Sequence, residues 1–313
     1  MAKWSASDIP DQSGRTAVVT GANSGLGFHT AKQLALHGAR VLMTARDPGR
    51  GQRAVEHVSA AAPGAQVELI SLDLADLSSV RTAAEAIEAA CSRVDVLVNN
   101  AGVMAVPYQL TRDGFEMQLG TNHLGHFALT GLLLPALLAA PAGRVVNVSS
   151  GAHRGTGTIN FDDLTGERSY SPMRAYAQSK LANLLFTAEL DRRARPATHL
   201  ISVAAHPGLA ATRLMQTRPG EIPRRLRGAL VSIGFRLFGQ SDAAGALPQL
   251  YAATMPDVAP GEYFGPSGLG EQRGAPKRVD RSPAAKDEAL AGHLWEVSEQ
   301  LTGVSYDLLA APA

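Results

Sequence analysis

Residues 15–28 read Arg15-Thr-Ala-Val-Val-Thr20-Gly21-Ala-Asn23-Ser24-Gly25-Leu26-Gly27-Phe28, and this stretch decides the fold. Arg15 to Thr20 is a short apolar run of the kind that forms a buried strand. A helical pattern follows from Phe28 to His37. Between them stands a glycine turn. Strand, glycine turn and helix in that order make a phosphate-binding unit, because main-chain N–H groups and the helix N-terminus point at an anion. The spacing suits Gly21 to a tight turn, Gly25 to close approach of a pyrophosphate, and Gly27 to packing of helix on strand.

The pattern repeats outward from there. Ala39 to Thr44, Gln66 to Leu72, Val94 to Val98, Arg144 to Val148 and His199 to Ala204 read as strands. Helical patterns lie between them: Arg50 to Ala60, Leu77 to Ala90 with Asp76 or Ser78 as start signal, Gly114 to Ala140, and Pro172 to about Arg195. The strands are apolar rather than alternating, which predicts a parallel sheet covered on both faces by helices. Ligands in such sheets sit beyond the carboxyl ends of the strands, where Gly21, Arg46, Asp73 and Asn99 fall. Gly261 to Phe264 reads as a last strand, 266–284 as a Gly/Pro-rich loop, and Ala285 to Leu301 as a final helix whose Trp295 packs onto the body. No repeat or linker divides the 313 residues, so one domain is expected.

The helix from Pro172 carries Tyr176 and Lys180, four apart and so on one face. A phenol near an ammonium ionises more readily than a free one, whose pKa is about 10, and can then exchange a proton near neutral pH. Asn122 lies in a mostly apolar helix and needs a buried partner. His123 and His126 lie three apart but lack further ligands in a zinc pattern, so no metal site is expected. Ser149-Ser150 end a strand, where hydroxyls serve as caps or as catalytic groups.

Composition narrows the classes. An apolar fraction of 45% with 18% charged residues is that of a soluble globular protein. A net charge of +1 gives no argument for nucleic acid. Cys91 is the only cysteine, which excludes an intrachain disulfide, and its place near a helix end suggests a small buried thiol. No signal peptide or membrane span is visible, so a cytoplasmic enzyme, at most loosely membrane-associated, is expected. Abundant Ala and an excess of Arg over Lys suggest a GC-rich bacterial gene.

The motifs together resemble the short-chain dehydrogenases/reductases: Thr20-Gly21-Ala-Asn-Ser-Gly25-Leu-Gly27, Asn99-Asn-Ala-Gly102, Asn122, Ser149-Ser150, Tyr176-x-x-x-Lys180 and Pro207-Gly208. Asn122-His-Leu-Gly-His-Phe, the stretch from Val146 to His153, Tyr176 to Phe186, and the long gap between Ser150 and Tyr176 are similar to the retinol dehydrogenase and protochlorophyllide reductase branch. The likeness spans residues 15 to about 300 and is weakest in 209–239 and after 265.

The resemblance implies a Rossmann-type three-layer α/β sandwich binding NAD(P), with a substrate-loop insertion at about 209–239 and a C-terminal extension from about 265. It implies Tyr176 as acid/base, Lys180 lowering its pKa and holding the nicotinamide ribose, Ser150 holding the substrate oxygen, and Asn122 in proton relay. Ser149 stays open as the alternative serine. The cofactor set would be Gly21, Asn23, Ser24, Gly25, Leu26, Gly27, Arg46, Asp73, Leu74, Asn99, Ala101, Gly102, Tyr176, Lys180, Pro207, Gly208 and Thr212.

An acid at the tip of strand two would favour NAD. Here Arg46 fills that tip, which points to NADP (NADPH), with NAD possible; Arg46 could instead be solvated or paired with Asp47. The basic, partly amphipathic 209–239 segment suggests a lipophilic alcohol, aldehyde or ketone as substrate, or contact with a membrane surface. Monomer, homodimer and tetramer all remain open. Rival readings are a double-bond reductase or epimerase, a non-catalytic nucleotide-binding regulator on the same fold, and a scaffold using the 209–239 region.

Overall fold

The computed structural model describes residues 3–195, 198–209 and 240–309. The basic segment and Thr212 therefore lie outside the described residues, apart from Leu209. In chain order come β1 (Thr16–Val19), α1 (Gly25–Leu36), β2 (Arg40–Ala45), α2 (Pro48–Ala61), β3 (Val67–Ser71), α3 (Leu77–Ala90) and β4 (Val96–Asn99). After them come α4 (Met117–Leu119), a π-turn (Gly120–Leu124), α5 (Gly125–Leu132), α6 (Leu134–Leu138), β5 (Arg144–Val148), α7 (Pro172–Ala194) and β6 (Ile201–Ala205). The described part closes with α8 (Asp242–Gly245), α9 (Leu247–Thr254), β7 (Tyr263–Pro266), β8 (Pro276–Arg278) and α10 (Glu288–Thr302).

The eight strands form one sheet in the order β3-β2-β1-β4-β5-β6-β7-β8. Apolar strands produce two cores because successive side chains point to opposite faces. Ala17, Val19, Val41, Met43, Val96 and Val98 pack on one face with Ala31 and Leu34 of α1. Val18, Leu42 and Leu97 pack on the other with Val80 and Ile87 of α3, Phe127 of α5 and Phe186 of α7. Each large side chain fully buried in this way contributes about 1.5–3 kcal/mol, so neither face tolerates polar alternation. Asp47 caps α2 by accepting from the Arg50 N–H, and Asp76 caps α3 by accepting from those of Ser78 and Ser79. The strand order reverses between β1 and β4, which opens a crevice at their carboxyl ends.

Four features differ from the sequence reading. The helix expected over 114–140 begins only at Met117 and changes to π spacing at Gly120–Leu124, where the Gly125 N–H reaches back to the Gly120 carbonyl. The strand at Tyr263 is not the last: β8 pairs antiparallel with β7, Phe264 opposite Arg278 and Pro266 opposite Pro276. A three-residue strand in a Gly/Pro-rich stretch has no periodicity to reveal it, and its pairing comes from β7. The sheet is thus parallel through β7 only. Cys91, at the end of α3, is only partly buried, with its thiol against the Ile87 carbonyl. Trp295 does pack as expected, buried among the rings of Phe127, Phe186 and Tyr306.

Candidate functional site

The crevice at the switch point is a cleft of about 370 Å³, within the range of small-molecule sites. Gly21, Asn23, Ser24, Gly25, Leu26 and Gly27 form one wall. A side chain at Gly21 would place its Cβ 2.9 Å from the Ala101 Cβ, and its φ of +63° suits glycine. A Cβ at Gly27 would lie 2.5 Å from the Gly21 carbonyl oxygen. Glycine is required at both positions by the closeness of β1, α1 and the turn after β4. The cradle that results presents main-chain groups to the cleft, as a dinucleotide phosphate requires.

Arg46 from the β2 end, Asp73 and Leu74 after β3, Ala101 and Gly102 after β4, and Pro207 and Gly208 after β6 line the same cleft. Asn99 does not reach it. Its amide donates to Thr130 Oγ1 at 3.0 Å and Asn147 Oδ1 at 2.9 Å inside the sheet. The next residue, Asn100, lines the cleft instead. In the parallel sheet one position's shift turns a side chain to the other face, which the doubled Asn99-Asn100 conceals in sequence.

Asp47 does not pair with Arg46. Its carboxylate accepts from the Arg50 N–H at 2.9 Å and lies 3.6 Å from the Arg50 guanidinium. Arg50 also lines the cleft, a second cation that sequence reasoning missed because it read as the ordinary first residue of a helix. The donor set, two guanidiniums at the β2 end and a glycine cradle, fits the phosphates of a dinucleotide.

Ser150, Tyr176 and Lys180 converge at the other end of the cleft. Proline at the start of α7 fixes the first turn, and the four-residue spacing puts Tyr176 and Lys180 on its inner face, 7% and 4% exposed. Ser150 and Tyr176 line the same end of the cleft, and the nearby Ser150 hydroxyl acts to lower the phenol's pKa. Ser149 is committed elsewhere, donating to the Lys180 carbonyl at 2.8 Å from a buried position. This division favours Ser150 over Ser149 as the serine that meets a substrate oxygen.

Lys180 Nζ donates to the Val148 carbonyl at 3.0 Å and stands 5.7 Å from the centre of the Tyr176 ring. Burial pushes its ammonium down to about 8. Burial also raises the Tyr176 phenol above its ordinary range, with the nearby Ser150 hydroxyl opposing. The expected lowering by Lys180 is not part of this balance: desolvation raises the phenol and Ser150 alone opposes it, so Tyr176 is a protonated acid at neutral pH.

Asn122 is fully buried in the π-turn. Its side chain accepts from the Val103 N–H at 2.8 Å and donates to the Val103 carbonyl and to Ser179 Oγ, both at 2.9 Å. It therefore acts on the cleft through Val103, which lines it. Val103, Met104 and Leu209 give the cleft an apolar portion. Among the described residues no helix is long and apolar enough to cross a membrane.

Known proteins bear on this geometry. The short chain dehydrogenase family matches residues 15–221. Retinol dehydrogenase 14 of Mus musculus is 41% identical over 303 residues, covering 93% of this chain and 86% of its own length. A solved but uncharacterised protein from Mycobacterium paratuberculosis is 46% identical with a TM-score of 0.80, covering 97% of this chain and 99% of its own. A structure from Beutenbergia cavernae, described as an NAD(P)-dependent gluconate 5-dehydrogenase with NADP bound at low occupancy, is 27% identical with a TM-score of 0.61, covering 81% and 95%. With a glycine cradle, a Tyr/Lys pair and a serine on one cleft, and with these matches over most of its length, the chain belongs to the short-chain dehydrogenases/reductases, an oxidoreductase family, within which it is retinol dehydrogenase-like.

Proposed function

We propose that the protein is an NADP(H)-dependent oxidoreductase that interconverts an alcohol and a carbonyl on a lipophilic substrate, with Tyr176 as acid/base. The observation that carries the reading is the convergence of Ser150, Tyr176 and Lys180 in the same cleft as the glycine cradle. A bound nicotinamide supplies or accepts the hydride. Ser150 holds the substrate oxygen by a hydrogen bond. In reduction Tyr176 gives its proton to the developing alkoxide; in oxidation its phenolate takes that proton. Lys180, close under the ring, favours the phenolate left behind and offers its remaining N–H groups to the ribose. Val103 and Met104, and the apolar substrate named by the retinol dehydrogenases, support a lipophilic ligand. Incubating the enzyme with long-chain aldehydes, retinoids, steroids, enones and polar keto-acids, with each cofactor in turn, tests this. Turnover of aldehydes or ketones of apolar character is expected, and a preference for the keto-acids would defeat the substrate assignment.

Cofactor choice has its own test. Arg46 and Arg50 both reach the cleft, the carboxylate of Asp47 is held as a helix cap, and the Beutenbergia relative binds NADP. A guanidinium–phosphate hydrogen bond is worth about 1.5–3 kcal/mol. Arg46→Ala should weaken NADPH binding roughly 10- to 150-fold and leave NADH nearly unchanged, and Arg50→Ala should act in the same sense. Dissociation constants for both cofactors check this; equal losses for the two would show that the arginines do not read the 2′-phosphate.

A further inference from the structure

His126 is buried on α5, one helical turn beyond Asn122, and lines no part of the cleft. Its Nδ1 lies 3.0 Å from the Asn122 main-chain carbonyl, and its Nε2 lies 2.8 Å from Thr20 Oγ1. A carbonyl only accepts, so the proton sits on Nδ1. Burial holds the imidazole neutral, pushed down to about 4, which leaves Nε2 as an acceptor for the Thr20 hydroxyl. Thr20 Oγ1 in turn accepts from the N–H groups of Asn100 and Ala101, at 2.8 and 2.9 Å. The Thr20 hydroxyl also faces the Val98 carbonyl, at 3.3 Å, but its one proton goes to the shorter contact with Nε2, and the chain then runs in one direction. It begins at the carbonyl of the residue that fixes Val103 and ends at the main-chain amides of the turn beside the glycine cradle.

We propose that His126 is a positioning residue that locks the Asn122 π-turn, and so the catalytic end of the cleft, to the Thr20–Ala101 floor of the cofactor end. The two ring nitrogens do separate jobs: Nδ1 holds Asn122 in place and Nε2 orients Thr20. The assignment rests on the functional reading above, but its first readout is cofactor affinity rather than turnover, so it survives if the substrate class is wrong.

The two jobs come apart by substitution. An Asn amide reaches about as far as Nδ1 and a Gln amide about as far as Nε2. His126→Asn should keep the tie to Asn122 and lose that to Thr20, weakening NADPH binding about three- to tenfold with kcat nearly retained. His126→Gln should keep the Thr20 tie, hold the NADPH dissociation constant within about twofold, and lower kcat about three- to tenfold. Thr20→Val approaches the same tie from the other partner. It should weaken cofactor binding at least as much as His126→Asn, and the double variant should lose less than the product of the two. Fluorescence titration of NADPH and steady-state kinetics at saturating cofactor measure all of these. A purely structural histidine would give both position-126 variants the same proportional change in affinity and kcat, or none, and either result overturns the proposal. If one of the two proves insoluble, a multiplicative Thr20→Val double with the remaining variant overturns it equally.

Discussion

Tyr176→Phe should lose roughly 10²–10⁴-fold in kcat while binding NADPH as the wild type does. The substitution removes one oxygen from a ring that is 7% exposed and keeps its shape. What disappears is the phenolic hydroxyl beside Ser150, on the ring that stands 5.7 Å from the Lys180 ammonium. Ser150 keeps a partner, since its Oγ accepts from the Ala152 N–H, so the serine loop should stay in place and the melting temperature should move little. Single-turnover rates with a saturating carbonyl, set beside fluorescence titration of NADPH, separate the two effects. A variant with wild-type turnover would remove Tyr176 from the chemistry.

Lys180→Met should lower kcat by roughly 10²–10³-fold and at the same time stabilise the folded protein without cofactor at neutral pH. The ammonium is buried, and its pKa falls from the ordinary 10.5 to about 8. The sign follows from proton counts. Between pH about 8 and 10.5 the unfolded lysine holds more protons than the folded one, so stability rises with pH across that window. Below it, the folded state carries the full cost of the buried charge, roughly 3 kcal/mol for that difference. Methionine removes the cost without orphaning the Val148 carbonyl, which still accepts from Asn183 Nδ2 at 3.1 Å. Urea unfolding of both proteins at pH 7 and pH 10 should show a gain for the variant at pH 7 that has largely vanished at pH 10. A variant less stable than wild type at pH 7 would mean that the lysine stabilises the fold instead.

The Rossmann order was legible because its signals are local. Gly21 and Gly27 sit where a strand hands over to a helix, and the spacing of four from Tyr176 to Lys180 places both on one side of α7 whatever lies around them. Asp76 caps α3 as its position suggested. What sequence could not show was decided by distance along the chain or by exposure. The link between Thr20 and His126 crosses 106 positions. Asn99 and Asn100 are chemically identical, and only the register of β4 tells which faces the cleft. Arg50 joins Arg46 only because Asp47 turns the chain into α2 between them. The π-turn at Asn122 leaves no mark in the apolar pattern, since Gly120 and Gly125 allow either spacing.

The short antiparallel β8 has a consequence for the protein in a crowded solution. A parallel sheet that ended at β7 would offer a row of open main-chain donors and acceptors along an apolar strand, a template for another chain. β8 occupies that row and presents a poor one in its place. Pro276 has no N–H to give, and Lys277 and Arg278 put two positive charges on a strand of three residues. The opposite margin, β3, carries Glu68 in an ion pair with Arg40 at 2.7 Å. Charge, brevity and proline are the means by which sheet margins resist strand-to-strand aggregation. The sheet is therefore finished at both borders, and self-association that extends it from one molecule to the next is disfavoured.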